Sequence, residues 1–282
     1  MSTKPLAGMA ALVTGGAGGI GSAVAHWLVR DGASVTIMGR TESTLRDVYS
    51  GLLKKVTGDA KVQYYVGDAR NADDLQKAFE VAAKPTGSLN ICVPTVGGGT
   101  IKPLLMHDAR SFLEDLDLNI VSSFLAIRYA APLMADAGGG SIVCISSDAA
   151  KLAYPYLSGY VAAKAGLEGL VRAAAEELGH LKVRVNAVRP GLTATRGPTS
   201  IFENKEIIEA YLREKPLGRT CVPDDIAAAV RYLAGPESSL VTGQSFAVDG
   251  GGELRRAPNL EALARAKYGD KDIDSALSGH PL

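Results

Sequence analysis

The sequence predicts a doubly wound α/β fold, in which a parallel sheet of about seven strands carries helices on both faces. Apolar runs rich in β-branched residues alternate with helical patterns, an alternation typical of parallel sheets covered on both sides. A glycine-rich segment, TGGAGGIG, joins the first apolar run to the first helical pattern. The chain has 282 residues, 46% of them apolar, which suits one large domain with a sizeable core.

The elements follow one another in the order strand, then helix. Strands are predicted near residues 10–14, 33–38, 62–66, 89–93, 141–145, 182–188 and 245–248. Helices are predicted near residues 19–30, 42–55, 72–83, 108–134, 158–178, 204–213 and 223–234. No repeat, linker or change in composition interrupts this order before residue 253. We therefore expect one domain over residues 1–252 and a C-terminal extension over residues 253–282.

Composition narrows the class of partner. Thirty basic residues balance thirty acidic ones, which argues against nucleic acid or a membrane surface and favours a small-molecule substrate. The first residues, MSTKPLAG, lack the apolar run of a signal peptide, and we expect no stretch with the roughly 20 apolar residues of a membrane span. These features predict a cytoplasmic protein.

The three cysteines do not predict a metal site or a disulfide. Cys92 and Cys144 lie within apolar strands and Cys221 lies in a turn, without the paired spacing of zinc ligands. We expect all three to be reduced, with the first two acting as small core residues.

The glycine-rich segment fits two dinucleotide-binding patterns. Gly16, Gly18 and Gly21 match G-x-G-x-x-G, whereas Gly15, Gly19 and Gly21 match T-G-x-x-x-G-x-G. Glycines let the backbone approach a pyrophosphate, which then lies at the positive N-terminus of the helix. An ordinary strand-to-helix turn is the alternative.

A serine, a tyrosine and a lysine are spaced as a candidate catalytic group. Ser147 follows the predicted strand 141–145, and Tyr160 and Lys164 lie one turn apart on the predicted helix 158–178. A nearby ammonium favours the phenolate form of tyrosine, so we expect Lys164 to lower the pKa of Tyr160. An accidental helix pair is the alternative for Tyr-x-x-x-Lys alone.

Together, the glycine-rich segment and these three residues resemble the classical short-chain dehydrogenase/reductase family over residues 8–251. The resemblance favours the second glycine pattern and implies a Rossmann-like fold that binds a nicotinamide cofactor. Further matches are Asp68, Asn119, the segment from Asn186 to Pro190-Gly191, Thr195, PLGR at 216–219 and VDGG at 248–251.

The resemblance implies particular roles. Catalysis would use Asn119, Ser147, Tyr160 and Lys164, with Asn119 holding a water in a proton relay within a helix bulge. The cofactor would be bound by Gly15, Gly19, Ile20, Gly21, Arg40, Thr41, Asp68, Ala69, Gly97, Tyr160, Lys164, Pro190, Gly191, Thr193 and Thr195. Within that set, Asp68 would bond the adenine amine, Lys164 the nicotinamide ribose and Thr195 the carboxamide. Asp68 has an alternative role as a helix cap, although Asn71 could serve there.

The sequence departs from the family pattern after the fourth strand. Where the family usually has Asn-Asn-Ala-Gly, this chain has Pro94-Thr95-Val96-Gly97. Proline has no amide hydrogen, so strand pairing on that side should stop by Val93.

Three further positions are unusual for the family. Cys221 replaces a usual glycine, and Thr193 stands where an aliphatic residue commonly packs on the nicotinamide. Asp148 follows Ser147 directly; it either reads a polar group of the substrate or, as we expect, is a solvated carboxylate at the strand end.

The second strand indicates which cofactor is bound. It ends in MGRT, with no carboxylate to claim the ribose hydroxyls. Arg40 and the Thr41 hydroxyl could instead hold a 2′-phosphate, which favours NADP(H) over NAD. An arginine stacked on adenine in an NAD enzyme is the alternative.

The substrate is expected to have an apolar body. The segment 192–215 would form a lid over the site, with an apolar underside made by Ile201, Phe202, Ile207, Ile208, Tyr211 and Leu212. These residues could instead pack against the core. The predicted reaction is hydride transfer between the cofactor and a carbonyl/alcohol pair; an enoyl reductase and a noncatalytic dinucleotide-binding regulator are the alternatives.

Assembly and the tail complete the predictions. Ala162, Gly166, Gly169 and Ala173 form a stripe of small residues on one helix, which predicts a homotetramer or homodimer unless the stripe packs on the chain's own sheet. In the extension, Pro258 to Tyr268 has helix signals and should dock near a subunit interface, whereas the end, GDKDIDSALSGHPL, reads as disordered.

Overall fold

The computed structural model describes residues 4–195, 200–256 and 259–279 and confirms the predicted fold class. Within these residues a parallel sheet has the strand order β3-β2-β1-β4-β5-β6-β7. The strands are β1 (Ala10–Thr14), β2 (Ser34–Gly39), β3 (Val62–Val66), β4 (Ile91–Pro94), β5 (Gly140–Ile145), β6 (Val183–Pro190) and β7 (Ser245–Val248).

Helices cover both faces of the sheet. In chain order they are α1 (Gly19–Arg30), α2 (Glu42–Leu53), α3 (Ala72–Ala83), α4 (Ala109–Leu116), α5 (Ser122–Asp136), α6 (Ser158–Leu178), α7 (Ser200–Glu203), α8 (Lys205–Arg213), α9 (Pro223–Ala234), α10 (Glu261–Tyr268) and α11 (Asp270–Leu277). Helices α1, α2 and α9 share one apolar layer, and α3, α5 and α6 share the other. The alternation of side chains along a strand creates the two layers: in β1, Ala11 and Val13 point into the first and Leu12 into the second.

The long helix predicted at 108–134 is interrupted where Asn119 lies. A π-helical turn, Asp117–Val121, separates α4 from α5, which confirms the expected bulge. Taken together, α4, the π-helical turn and α5 (Ala109–Asp136) are long and apolar enough to cross a membrane by length and composition, contrary to the expectation from sequence. In this fold its residues Ala126, Ala130 and Met134 are buried in the second apolar layer.

Strand β4 accommodates Pro94. Pairing with β5 ends at Cys92, as expected where proline offers no amide hydrogen. On the β1 side the register continues to Pro94 opposite Thr14, and the next amide, that of Thr95, donates to the Thr14 carbonyl at 3.3 Å. The proline therefore ends one ladder and leaves the other intact.

The cysteines are free and buried, as predicted. Cys92 and Cys144 lie in the second apolar layer, between the sheet and its helices. The Cys221 thiol is also buried and donates to the carbonyl of Val248.

The C-terminal extension folds onto the body of the protein. Helix α10 agrees with the predicted helix in its later part, while Pro258 lies outside the described residues. Leu260 and Leu263 pack against Ile207 of α8, and the Tyr268 hydroxyl donates to the Ile101 carbonyl at 2.9 Å.

The prediction that the following segment is disordered is wrong for residues 270–277, which form α11 with Ile273 buried. A helix as short as α10 is marginal alone, and its docking on the body of the protein supplies the contacts that stabilise it. Residues 280–282 lie outside the described part of the chain.

We expect Leu260→Ala to loosen the extension, because Leu260 is almost fully buried. Truncating such a leucine costs about 2–5 kcal/mol. Amides of α10 should exchange hydrogen faster, measured by mass spectrometry. Leu254→Ala is the matched control, since Leu254 is 82% exposed; its effect should stay within about 0.5 kcal/mol. Equal exchange in the two variants would contradict the docking.

Candidate active site

The glycine-rich turn lies at the carboxyl end of β1, beside the residues that follow β4. Gly15 has a φ of +66°, and a Cβ there would lie 2.6 Å from the Thr95 hydroxyl. That hydroxyl donates to the Thr14 carbonyl at 2.6 Å. Thr95, noted from sequence only as a departure from the family, therefore packs against the glycine-rich turn and bonds to the residue that precedes it. Helix α1 begins after Gly18 with no side-chain cap, so its first amides remain available to an anion.

The predicted adenosine residues lie at the ends of β2 and β3. Arg40 is exposed and Thr41 immediately precedes α2. Arg70, which the sequence analysis missed, pairs with Asp68 at 2.8 Å and holds the pKa of that carboxyl below its usual value, with a smaller contribution from Arg40.

The cap of α3 is Asn71, which accepts from the Asp74 amide, so Asp68 does not serve as the cap. Ala69 is buried in the core, so only its backbone is available to a ligand.

Lys164 is buried at the centre of the site. Its Nζ donates to the Ile145 carbonyl at 2.8 Å and lies 5.6 Å from the centre of the Tyr160 ring. Burial lowers the pKa of Lys164 to about 8, because an apolar surrounding disfavours the charged form. The backbone at Gly97 passes so close that a Cβ would lie 2.7 Å from the Asn119 Oδ1 and 2.9 Å from the Lys164 Nζ.

Asn119 is held by the backbone that follows β4. Its Nδ2 donates to the Gly98 carbonyl at 2.8 Å and to the Asp115 carbonyl at 2.7 Å, and its Oδ1 accepts from the Gly98 amide. The π-helical turn thus places a polar residue inside the protein with its side chain fully bonded. Asn119 fixes the path of the chain beside Lys164.

Tyr160 differs from the expectation in its ionisation. Burial raises its pKa to about 12, opposed by a hydrogen bond with Ser147, while the charge of Asp148 raises it further. In the chain alone the net shift of this pKa is upward, opposite to the lowering expected from the sequence, because burial disfavours the phenolate. Tyr160 is therefore a proton donor at neutral pH.

Ser147 follows β5 and is held by its neighbours. Its Oγ accepts from the Ala149 amide at 3.1 Å and donates to Asp148 Oδ1 at 3.3 Å. These contacts hold the serine hydroxyl in the cleft that Tyr160 also lines.

Asp148 is buried, so the prediction of a solvated carboxylate is wrong. Its Oδ2 accepts from the Tyr154 hydroxyl at 2.8 Å and from the Lys215 Nζ at 3.3 Å. Burial raises the pKa of Asp148, and the positive charge of Lys215 opposes the rise. Sequence reasoning missed Lys215 because it lies 67 residues from Asp148 in the chain. It missed Tyr154 because no periodic pattern connects this loop residue with Asp148.

These side chains meet in a cleft of about 560 Å³. Of the residues predicted from sequence, its walls include Ile20, Gly97, Ser147, Tyr160, Lys164, Pro190, Gly191, Thr193 and Thr195. The Thr193 hydroxyl donates to the Gly191 carbonyl, and Thr195 packs against Gly19. Of the predicted lid residues, Ile201 and Tyr211 line the cleft, whereas Ile207 packs against the extension.

The residues present fit a nicotinamide dinucleotide. The ammonium of Lys164 has three donors, and within the described residues one of them is used, by Ile145. The free amides at the start of α1 and the close backbone at Gly15 suit a pyrophosphate. Among residues 4–195, 200–256 and 259–279, no group of three or more His, Cys, Asp or Glu could hold a metal ion.

Comparison with known proteins agrees with this geometry. Residues 15–253 match the family described as enoyl-(acyl carrier protein) reductase. A tropinone reductase homolog of Arabidopsis thaliana is 36% identical over 247 residues, which cover 87% of this chain and 92% of the relative.

Solved structures are similar over almost the whole chain. A short-chain type dehydrogenase/reductase from Mycobacterium ulcerans has a TM-score of 0.91 at 34% identity, covering 97% of this chain and 98% of that one. A 7α-hydroxysteroid dehydrogenase complexed with NADH and 7-oxo glycochenodeoxycholic acid has a TM-score of 0.82 at 30% identity, covering 89% and 96%.

The fold and site define a nicotinamide-dependent oxidoreductase that acts on alcohols and carbonyls. The chain belongs to the short-chain dehydrogenase/reductase family.

We expect Gly97→Ala to impair cofactor binding, because the new methyl group would collide with Asn119 and Lys164. Overpacking costs about 1–3 kcal/mol, so the Kd for NADPH should rise about tenfold or more, measured by fluorescence titration. Gly98→Ala is the control: its methyl group would meet only Leu118, at 3.7 Å. Normal affinity in Gly97→Ala would show that the close approach is unnecessary.

Proposed function

We propose that the protein uses NADP(H) to reduce a carbonyl group on a substrate with an apolar body. The observation that carries this proposal is the convergence of Ser147, Tyr160 and Lys164 on one cleft whose outer walls are apolar. Those walls include Ile101, Leu157, Ile201 and Leu260. The steroid ligand of the 7α-hydroxysteroid dehydrogenase also combines a carbonyl with an apolar body.

Each polar residue has a defined part in the reaction. When bound, the nicotinamide supplies the hydride. Tyr160 gives its proton to the carbonyl oxygen, for which its raised pKa keeps it protonated at neutral pH. Ser147 donates a hydrogen bond to the same oxygen and stabilises the charge that develops there. Lys164 holds its ammonium beside the ring of Tyr160 and would hold the cofactor ribose.

The departures from the family pattern at Pro94-Thr95 and Thr193 leave the polar residues of the cleft in place. Pro94 ends only the ladder to β5, and Thr95 takes part in the glycine-rich turn. Thr193 turns its hydroxyl to the Gly191 carbonyl. The enoyl reductase alternative has the description of the matched family in its favour, so the substrate panel must include enones as well as ketones.

The reaction is tested by Tyr160→Phe, which keeps the ring and removes the acidic oxygen. Turnover of ketones with NADPH should fall about 10²-fold or more, while cofactor affinity survives. Tyr232→Phe on α9, where the tyrosine stacks on Phe246, is the control and should turn over normally. Undiminished turnover in Tyr160→Phe would remove this residue from the mechanism.

The preference for NADP(H) rests on the end of β2. Arg40 is exposed and close enough to Asp68 to lower the pKa of that carboxyl, so a guanidinium stands where the adenosine half of the cofactor would lie. Among the last residues of β2 and Arg40-Thr41, no carboxylate competes for the ribose. The same fold binds NADH in the 7α-hydroxysteroid dehydrogenase, so the fold alone does not select the cofactor, and our proposal assigns the selection to Arg40.

Arg40→Ala should lower the NADPH to NADH ratio of kcat/KM by about tenfold, because charge-assisted bonds to a 2′-phosphate are lost. Arg46→Ala is the matched control, since Arg46 is exposed on α2 and pairs with Glu42; its ratio should not change. Steady-state kinetics with both cofactors measure the effect. An unchanged ratio in Arg40→Ala would refute the assignment.

We also propose that the protein forms a homotetramer or homodimer through α4, α5 and α6. Leu113 and Phe124 are exposed on α4 and α5. On α6, Ala162 and Gly166 are exposed and do not pack on the chain's own sheet. Exposed apolar residues on three neighbouring helices favour a partner.

Light scattering at micromolar concentration should therefore give a mass of two or four chains. Phe124→Glu should lower that mass, because a charge in an apolar interface is costly. Leu53→Glu, an exposed leucine on α2, should not. A monomeric wild-type protein would end this proposal.

A further inference from the structure

The cleft contains a second polar centre beside the catalytic serine. The carboxylate of Asp148 is buried and lines the same cleft as Ser147 and Tyr160. Its Oδ2 is held by Tyr154 at 2.8 Å and by Lys215 at 3.3 Å. Its Oδ1 is bonded by Ser147 at 3.3 Å.

Lys215 makes this carboxylate rigid and charge-compensated. The lysine side chain is almost fully buried and its Nζ lies 4.3 Å from the centre of the Tyr211 ring. It also packs against Gly252, where any Cβ would collide with the ammonium. A buried carboxylate held by two donors is a fixed acceptor that does not have to reorganise when a ligand arrives.

Ser147 cannot serve Asp148 and a substrate at the same time. A serine hydroxyl has a single proton to donate. When it turns to the reacting oxygen, Asp148 Oδ1 loses the donor that it has in the chain alone. A buried acceptor without a partner is costly, so a plain ketone would bind at the expense of this bond.

A hydroxyl group on the carbon beside the reacting carbonyl would replace the lost donor. Ser147 Oγ and Asp148 Oδ1 are neighbours at 3.3 Å, so oxygens on adjacent carbons of one substrate can bond one to each. A substrate ammonium fits less well, because Lys215 already neutralises the carboxylate and would repel a second cation.

We infer that the substrate is an α-hydroxy ketone, reduced to a vicinal diol, with Asp148 accepting the hydrogen bond of the neighbouring hydroxyl. This inference rests on the proposed carbonyl reduction and adds the group that the enzyme selects. Ser147 and Tyr160 bind the reacting oxygen, Asp148 binds its neighbour, and the apolar walls receive the rest of the molecule.

The experiment compares three ketones of one shape on the wild-type enzyme with NADPH. They are 1-tetralone, 2-hydroxy-1-tetralone and 2-methyl-1-tetralone. In the last compound a methyl group takes the place of the hydroxyl and cannot donate a hydrogen bond. A hydrogen bond to a charged acceptor is worth about ten- to hundredfold in kcat/KM, so the hydroxy ketone should exceed both others by that factor.

A double variant separates Asp148 from the intrinsic reactivity of the ketones. Asp148→Leu with Lys215→Met removes both buried charges and keeps their volume, so neither charge is left unpaired. The ratio of kcat/KM for 2-hydroxy-1-tetralone to that for 2-methyl-1-tetralone should fall about tenfold or more in this variant.

The outcomes distinguish this inference from the proposed function. Equal kcat/KM for the hydroxy and methyl ketones would overturn the inference, although carbonyl reduction would stand. A preference for the hydroxy ketone that the double variant retains would also overturn the inference. If no ketone is turned over, calorimetry of the three compounds on the wild-type enzyme with NADPH decides the inference. Tighter binding of the hydroxy compound, lost in the double variant, supports it; equal binding overturns it.

Discussion

Lys164 is 3% exposed, and the site is built around its buried ammonium. A buried cation is stable only where acceptors meet it, and the chain supplies the Ile145 carbonyl at the end of β5. The ammonium also needs space, which Gly97 provides by leaving no Cβ between it and Asn119. The π-helical turn places Asn119 beside Gly98. The Asn119 side chain makes two hydrogen bonds to the backbone of Gly98 and a third to the Asp115 carbonyl. The end of β5, Gly97 and the π-helical turn thus all contribute to the surroundings of one buried charge.

The same constraint is met a second time in Lys215 and Asp148. This pair is buried at the other side of Ser147, and each charge compensates the other. Breaking such a pair at one end leaves an unpaired buried charge, which is strongly destabilising. Of the two residues, Asp148 lines the cleft, and this is why we infer that it contacts the substrate. Lys164 lines the cleft itself, whereas Lys215 lies behind it and reaches it through Asp148.

Local patterns in the sequence were sufficient to predict much of the fold and part of the site. The periodicity of the apolar residues predicted all of β1 and β3 and the helices α1, α3, α6 and α9 at their observed bounds. The glycine-rich turn and the Ser147/Tyr160/Lys164 spacing were visible because each lies within one short element or its boundary.

What could not be predicted depends on contacts between distant parts of the chain. Lys215 reads as one more charge at the end of a surface helix until the fold brings it to Asp148. The pKa of Tyr160 depends on burial, which spacing along a helix does not reveal. Helix α11 is short and mostly polar, and its order comes from contacts with α10 that the sequence does not reveal.

The central claim is that burial, rather than the nearby lysine, sets the ionisation of Tyr160 in the chain alone. Ultraviolet difference titration of the wild type against Tyr160→Phe, without cofactor, isolates the phenolate of this residue. Our account predicts that Tyr160 stays protonated until the pH approaches its raised pKa of about 12. Ionisation of Tyr160 near neutral pH would contradict it and would restore Lys164 as the group that sets this pKa.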